Sequence, residues 1–200
     1  MDDIDLRMYI LKRENPVIFD TQAQFIYFPA NKVMQTTLVR HLLKKRCIVY
    51  KDNKVLWKEV FDKTDFNKVY KFGITRDPIT KFESAFNYLK KQKRLSKRMK
   101  INDININDYI KNTVVHCDNP FKLNPHFEKQ YESYFYNDKL IVDELFKIED
   151  NEQICKMYQK LDIKDNEIKK NENKHIEIID EESIKILKKI YFNDIKYLHY

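Results

Sequence analysis

The chain has 200 residues, 42% of them hydrophobic, and a formal net charge of +7 at pH 7. This hydrophobic fraction is ordinary for a globular protein and excludes a wholly disordered chain, while the length suits a single domain, which we predict over residues 1–200. No stretch approaches the roughly 18 apolar residues of a membrane helix, and the acidic start lacks an apolar signal segment, so we expect a cytoplasmic protein with no membrane span.

The first predicted elements form half of a βαβ unit. Residues 25–28 are an unbroken apolar and aromatic run that predicts a buried strand, and Pro29 to Asn31 breaks it. From 35 to 46 the residue pattern turns helical, with spacings of three and four. A strand, a polar turn and a helix in this order are typical of α/β folds.

The next elements include a second strand–helix pair. Residues 47–50 and 55–61 are candidate short strands or a hairpin, and 69–75 is a strong strand. The dipeptide Asp77-Pro78 then predicts the start of a helix, because Asp is a favoured N-cap and Pro suits the first helical turn.

The rest of the chain consists of shorter predicted elements. They are a short helix within 102–119, a loop with two prolines at 119–125, short strands at 140–142 and 145–148, a helix at 151–161, a polar connection at 162–180 and a terminal helix at 181–197. We therefore predict an α/β fold of the three-layer P-loop nucleotide-binding type, with a short, mostly parallel central sheet flanked by helices.

The turn after the first strand is a candidate anion site. A turn that feeds a helix leaves backbone N–H groups free beside the positive end of the helix dipole. Here Lys32 adds a mobile charge, and Thr36 and Thr37 add hydroxyl donors. The segment contains no glycine and so differs from the standard phosphate loop. Ordinary polar capping of a helix would give the same local pattern.

Arg76 and Ser84 form a second candidate anion site. Arg76 lies where the second strong strand ends, and its planar fork suits a phosphate group. Ser84 lies two helical turns later and offers a hydroxyl donor. The two residues could grip one phosphate across the strand–helix corner. The alternative is a surface pair of Arg76 with Asp77 and a small serine packed in a helix.

Together these segments resemble the cofactor-binding motifs of the carbohydrate sulfotransferases of the sulfotransferase family 2 type, the group that contains the chondroitin and dermatan enzymes. In that family a P-K-x-x-x-[ST]-like loop holds the 5′-phosphosulfate of 3′-phosphoadenosine 5′-phosphosulfate (PAPS). An R-D-P-x-x-[RK]-x-x-S-[AG]-[YF] segment holds its 3′-phosphate. Lys32 falls at the loop lysine, and Arg76 and Ser84 match the second pattern at its eight-residue spacing. Lys81 and Phe86 fit the same segment.

The resemblance continues towards the C-terminus. Asn124–Gln130 is similar to the family's H-[WF]-x-P-Q segment, with Lys129 in place of the usual proline. Val142–Asp150 resembles its strand with a closing glutamate, and Ile190–Asp194 resembles its terminal Y-x-x-D. The first loop departs from the family, because two additional residues precede its lysine and Met34 stands where a small residue is common.

The resemblance implies a PAPS-dependent sulfotransferase that moves a sulfuryl group to a carbohydrate hydroxyl by in-line displacement and releases 3′-phosphoadenosine 5′-phosphate (PAP). Such a reaction relies on positioning and charge stabilisation. In the implied site Lys32 acts on the leaving-group oxygen, and Arg76 and Ser84 anchor the 3′-phosphate. The implied cofactor-binding residues are Lys32, Val33, Gln35, Thr36, Thr37, Arg76 and Ser84.

The acceptor hydroxyl needs a general base. His126 is the first candidate because it lies in the H-F-x-K-Q segment, although a hydrogen-bonded loop histidine would look the same. His41 is either a structural residue of the predicted helix or a second candidate, and Glu59 and Glu83 are carboxylate alternatives. No metal is expected, since the three widely spaced cysteines match no zinc or disulfide pattern and fit a reducing compartment.

The positive charge bears on the partner. A basic run at 90–100 fits guidance of an acidic polymer, or simply a solvated helix end. We expect a carbohydrate acceptor, such as an acidic polysaccharide or a glycolipid, and no nucleic acid. Two alternatives stay open. One is an ATP-dependent small-molecule kinase of P-loop fold, for which the glycine-free loop is a poor match. The other is a non-enzymatic, basic nucleic-acid-binding module.

Overall fold

A computed structural model describes residues 3–12, 17–20, 22, 24–33, 38–39, 42, 47–49, 54–163 and 177–200. Within them the chain is a mixed α/β fold with a small mixed sheet flanked by helices, which confirms the predicted fold class at that level. None of the helices in these ranges combines the length and the apolar character needed to cross a membrane.

The sheet lies around two parallel central strands. The described strands are β1 (Ile18–Asp20), β2 (Phe25–Phe28), β3 (Cys47–Val49), β4 (Tyr70–Thr75), β5 (Phe135–Tyr136), β6 (Lys139–Leu140) and β7 (Glu144–Lys147). Five of them form one sheet in the order β3-β1-β2-β4-β7, and β5 pairs with β6. β4 is parallel to both β2 and β7, whereas β1 is antiparallel to β2 and β3. The carboxyl ends of β2 and β4 therefore meet at one edge.

The central strands are buried and differ in composition: β2 is apolar throughout, whereas β4 alternates Tyr70, Phe72 and Ile74 with Lys71, Gly73 and Thr75. β2 is buried along its whole length, and β4 is buried from its second residue onward, as expected for parallel strands covered on both sides. Tyr27 and Phe72 lie opposite each other and stack with 5.0 Å between ring centroids. The strands predicted at 25–28 and 69–75 are thus confirmed.

Gly73, the only glycine of the chain, lies where another side chain approaches β4 closely. A Cβ atom at this position would lie 2.3 Å from Cε1 of Tyr134, far inside van der Waals contact. Tyr134 is buried, and its hydroxyl donates a hydrogen bond of 2.5 Å to the carbonyl oxygen of Ile74. The missing side chain therefore lets Tyr134 bond to the backbone of the strand.

Helices precede, separate and follow the described strands along the chain. Those with described bounds are α1 (Asp3–Lys12), α2 (Lys54–Lys63), α3 (Pro78–Lys91), α4 (Lys93–Met99), α5 (Ile106–Asn112), α6 (Tyr131–Tyr134), α7 (Asn151–Lys160), α8 (Glu181–Ile190) and α9 (Phe192–Leu198). Short 3₁₀ turns span Val114–His116, Pro120–Lys122 and Pro125–Phe127. The helices predicted from Asp77-Pro78 and at 151–161 are confirmed as α3 and α7. In the helix predicted at 35–46, residues 38, 39 and 42 are helical, and the others lie outside the described residues.

Two predicted elements were wrong. Residues 55–61 form part of α2 and not a strand. The amino-acid sequence also has the helical period here, since apolar residues recur four apart (Leu56 with Val60, Trp57 with Phe61). The terminal helix is broken between α8 and α9. At the break, the hydroxyl of Tyr191 donates a 2.7 Å hydrogen bond to the carbonyl oxygen of Phe127, a contact that local periodicity does not reveal.

Contacts group the chain into two compact units. The first comprises Met1–Thr75 and Glu132–Lys169 and contains the sheet. The second comprises Arg76–Tyr131 and Lys170–Tyr200, contains α3 and α8 among its helices, and has its own buried hydrophobic cluster. Each unit draws on two separate stretches of chain, so no linker in the sequence marks the division.

Candidate functional site

The turn after β2 carries Lys32, the residue predicted to act on the leaving group. Lys32 is half-exposed and has a φ of 64°. This left-handed conformation costs a residue with a side chain about 1–2 kcal/mol and is held in place by surrounding structure. The neighbouring Val33 side chain is fully buried, so only its backbone could meet a ligand. The other predicted loop residues, Gln35, Thr36 and Thr37, and the base candidate His41 lie outside the described residues.

Arg76 lies at the junction between β4 and α3. Asp77 caps the helix, since its side chain accepts a 2.8 Å hydrogen bond from the N–H of Thr80, and Pro78 is the first helical residue. Nε of Arg76 donates to Oγ1 of Thr80 at 3.3 Å. The guanidinium group of Arg76 therefore reaches the first turn of α3.

One side chain holds the backbone of Arg76 at both of its polar groups. The N–H of Arg76 donates to Oε1 of Gln130 at 2.8 Å, and its carbonyl oxygen accepts from Nε2 of Gln130 at 2.7 Å. Gln130 is fully buried, so water does not compete for these bonds. The double contact fixes the point at which the arginine side chain leaves the backbone.

Asp194 in turn holds Gln130. Its two carboxylate oxygens accept hydrogen bonds of 2.9 Å each from the backbone N–H groups of Gln130 and Tyr131. Asp194 is fully buried, and this burial raises its pKa to about 6, against the opposing effect of the two N–H groups and of nearby Lys81. The terminal Y-x-x-D segment thus anchors the segment that precedes α6.

Lys81 is buried and binds the same segment. Its Nζ donates to the carbonyl oxygen of Glu128 at 2.6 Å and to that of His126 at 3.4 Å. The hydroxyl of Tyr191 donates to the carbonyl oxygen of Phe127. Two residues of the sequence resemblance, Lys81 and Tyr191, therefore hold consecutive carbonyl groups of one short stretch of backbone.

Three side chains on one side of α3, together with Arg76 before the helix and His126 beside it, form a row that we call the α3 row. Thr80, Ser84 and Tyr88 are each four residues apart, a spacing that places neighbours on the same helix face, about 6 Å apart along the axis. Arg76 contacts Thr80 at one end of the row. At the other end the ring of His126 packs edge-on against Tyr88, with 5.0 Å between centroids. The row includes three predicted site residues: Arg76, Ser84 and His126.

Accessibility varies along the α3 row. Ser84 is buried, Arg76 and His126 are half-buried, and Thr80 and Tyr88 are exposed. In His126 the Nδ1 atom is shielded from solvent, while the residue as a whole is half-buried. An arginine fork beside hydroxyl donors suits a phosphate group, and a partly exposed imidazole suits proton transfer near neutral pH.

The two carboxylate alternatives to His126 differ in their surroundings. Glu83 is half-buried, and its pKa is raised by burial, lowered by Arg76 and raised by Glu177, with a net increase. Glu59 is exposed and accepts a 2.5 Å hydrogen bond from Lys63, which lowers its pKa. Because a base works best with a pKa near the working pH, Glu83 is the better carboxylate candidate.

Three residues that shape the site were not among the predicted site residues. Thr80 could have been found from its four-residue spacing to Ser84 on the predicted helix. Gln130 and Asp194 lie within segments of the family resemblance, but their bonds join residues 54 and 64 positions apart. No local pattern reveals contacts over such distances, so sequence reasoning assigned no role to Gln130 and Asp194.

A cavity of the first unit lies at the amino ends of β2 and β4, away from the turn that carries Lys32. Phe25 and Tyr70 are the first residues of β2 and β4, so this cavity is at the amino ends, whereas α/β sheets bind ligands beyond the carboxyl ends. Its volume is about 400 Å³, and it is lined by Gln24, Phe25, Tyr70, Lys160, Leu161 and Asp162.

Comparison with known proteins gives no family, since no family model, no curated protein and no solved structure significantly matches the chain. Among the described residues, no group of three or more His, Cys, Asp or Glu side chains is arranged to hold a metal ion. Any functional assignment therefore depends on the chemistry of the site.

Proposed function

We propose that the chain is a PAPS-dependent sulfotransferase that transfers a sulfuryl group to a carbohydrate hydroxyl, on a three-layer core of the P-loop type. The observation that carries the proposal is the α3 row, in which an arginine fork and two hydroxyl groups lie towards one end and a histidine at the other. The buried contact of Gln130 with Arg76 supports it further, because a binding group is effective when neighbouring residues hold it in place.

In this proposal Arg76 and Ser84 bind the 3′-phosphate of the nucleotide. A guanidinium group donates two parallel N–H bonds to phosphate oxygens, and Thr80 beside it offers a further hydroxyl. Because the 3′-phosphate distinguishes PAPS from ATP, these contacts would set nucleotide specificity. The glycine-free turn that contains Lys32 is a poor match to an ATP phosphate loop, which makes the kinase alternative weaker.

The remaining residues would serve the transfer itself. The acceptor oxygen bonds to sulfur while the bond between sulfur and the bridging phosphate oxygen breaks, and the displaced nucleotide leaves as PAP. Lys32 stabilises the negative charge on the departing phosphate oxygen. His126 accepts the proton of the acceptor hydroxyl on its imidazole ring.

Calorimetric titration with PAP, 5′-AMP and ATP tests the nucleotide assignment. Wild-type protein should prefer PAP. The Arg76→Ala variant should bind PAP about 10- to 100-fold more weakly, because a hydrogen bond to a charged group contributes about 1.5–3 kcal/mol. The same variant should leave 5′-AMP binding almost unchanged. Arg98→Ala removes an exposed arginine and serves as the charge-matched control. Equal binding of the three nucleotides, or no binding of any, would rule the proposal out.

A further inference from the structure

A dense positive surface lies on α4 and its flanks. Lys90, at the edge of this region, forms an ion pair with Glu177 at 2.8 Å. The six cations that follow form no ion pair with any residue that the structure describes. All six are exposed, and we call them the α4 cationic surface: Lys91, Lys93, Arg94, Lys97, Arg98 and Lys100.

The charges of α4 are unfavourable for the helix by itself. Lys93 and Arg94 stand in its first turn, next to the positive end of the helix dipole, and no acidic residue stands there. Lys97 follows Lys93, and Arg98 follows Arg94, at the four-residue spacing at which like charges weaken a helix. The helix therefore carries repulsion that no described neighbour relieves.

Another helix of the same unit differs from α4 in its first turn. α8 begins with Glu181 and Glu182 and ends with Lys188 and Lys189, which complements the helix dipole at both ends. Because both helices end in basic residues, the unfavourable charge of α4 lies in its first turn and in its like-charge pairs.

Tertiary packing holds α4 in place despite this repulsion. Ser96 is buried, and Leu95 and Met99 pack against the hydrophobic cluster of the second unit. Lys100 ends the helix with a φ of 56°, and the N–H of Ile101 donates back to the carbonyl oxygen of Ser96 at 3.0 Å. One side of α4 is therefore anchored, and the cations project from a fixed backbone.

We propose that the α4 cationic surface docks an acidic polysaccharide, a polymer with carboxylate or sulfate groups, that is the acceptor of the reaction. This inference rests on the proposed sulfotransferase function. A polyanion supplies repeated counter-charges and relieves the repulsion within α4. Only Gln92 separates α4 from α3 in the chain, so the docking helix directly continues the helix of the candidate site.

Other polyanions fit the surface less well. Residues 90–100 contain no aromatic side chain, whereas proteins that bind single-stranded nucleic acid stack bases on aromatic rings. The apolar side chains of α4, Leu95 and Met99, pack inward, so the helix has no apolar face to enter a lipid surface. A saccharide polymer needs neither feature.

Two triple variants distinguish binding by the α4 cationic surface from a general effect of net charge. Lys93→Gln/Arg94→Gln/Lys97→Gln removes three charges from α4, and Lys185→Gln/Lys188→Gln/Lys189→Gln removes three exposed charges from α8. Binding is measured by calorimetry over a series of salt concentrations with a heparin oligosaccharide, an oligogalacturonate, a neutral dextran oligosaccharide and a short DNA duplex. PAP binding is measured for each protein in parallel.

The proposal expects binding of heparin and oligogalacturonate but not dextran. The α4 variant should bind the heparin oligosaccharide at least about tenfold more weakly, and its slope of log affinity against log salt should fall by about two to three, nearly one for each lost contact. The α8 variant should stay close to wild type, and PAP binding should be the same in all three proteins.

Other results would overturn the docking proposal. Equal losses of oligosaccharide affinity in the two variants would show that only net charge matters. DNA binding as tight as that of the saccharides would assign the surface to nucleic acid. PAP binding without oligosaccharide binding would remove the docking surface and leave the proposed function intact. Oligosaccharide binding that depends on α4 without any PAP binding would remove the proposed function and, with it, the role of the polymer as acceptor.

Discussion

Two carboxylates, Asp194 in the second unit and Glu144 in the first, are held in opposite ways. Asp194 is fully buried and bonds to two backbone N–H groups, and burial raises its pKa to about 6. Glu144 begins β7 and is half-buried. Burial acts to raise its pKa, but hydrogen bonds from Lys156, Lys160 and Tyr70 outweigh that effect and bring the pKa to about 2.

The two carboxylates therefore have different roles: Asp194 positions the main chain, whereas Glu144 pairs with side chains. A backbone N–H group cannot leave Asp194 unless the main chain moves, so this carboxylate fixes Gln130 and, through it, the backbone of Arg76. The lysine partners of Glu144 are exposed and can exchange it for water at small cost. A buried carboxylate without a full counter-charge costs stability, and its presence beside the α3 row fits a functional role.

Removal of Asp194 should have the largest effect on stability. Asp194→Ala leaves two buried N–H groups without an acceptor, each of which costs about 1–3 kcal/mol. We therefore expect the free energy of unfolding to fall by about 2–6 kcal/mol in urea titrations. Asp103→Ala, at an exposed aspartate of the same unit, should change it by less than about 0.5 kcal/mol. Similar losses in the two variants would contradict the positioning role.

Gln130→Ala should act on nucleotide binding through Arg76. The variant removes both hydrogen bonds between this side chain and the backbone of Arg76, so the guanidinium group is no longer held in position. We expect PAP affinity to fall about tenfold, or about 1.4 kcal/mol, while 5′-AMP affinity stays constant in calorimetry.

A double variant distinguishes positioning from general damage by Gln130→Ala. In the Arg76→Ala background, Gln130→Ala should change PAP binding no further, because the group that it positions is already absent. Additive losses, or equal losses for PAP and 5′-AMP, would show that Gln130 supports the unit in general and not Arg76 in particular.

These long-range contacts mark the limit of what the sequence could predict. The strand at 25–28 and the helix start at Asp77-Pro78 were predictable because burial and capping are local patterns. The contacts of Asp194 and Tyr191 with the segment before α6 were not, since they join residues more than 60 positions apart. Spacing placed Arg76 and Ser84 on one helix side, but only the fold shows what holds Arg76 there.

The pH dependence of stability should have opposite signs at the two carboxylates. The folded state raises the pKa of Asp194 from 3.8 to about 6, so the folded protein binds this proton more tightly than the unfolded chain. The stability from this group is complete below about pH 4 and declines as the pH rises, by about 1 kcal/mol between about pH 5 and pH 7. Glu144, with a lowered pKa, stabilises the fold above about pH 4.5 and loses that contribution as the pH falls towards 2.

Asp194→Asn isolates the first of these effects. The variant cannot titrate at this position, so its unfolding free energy should lack the decline between about pH 5 and pH 7 that wild type shows in urea titrations. Groups elsewhere titrate in both proteins and cancel in the difference. Parallel pH profiles for the two proteins would mean that Asp194 does not bind a proton in this range.

Glu144→Gln should have the smallest effect. The amide keeps an acceptor for the hydroxyl of Tyr70 and loses only the charge that pairs with Lys156 and Lys160. Such partly exposed pairs contribute up to about 1 kcal/mol, so we expect a loss below that value in urea titrations, and a still smaller one at high salt, which screens the pairs. PAP binding should not change. A loss as large as that of Asp194→Ala would erase the distinction between the two carboxylates, because exposed lysine partners would then hold the fold as firmly as buried backbone does.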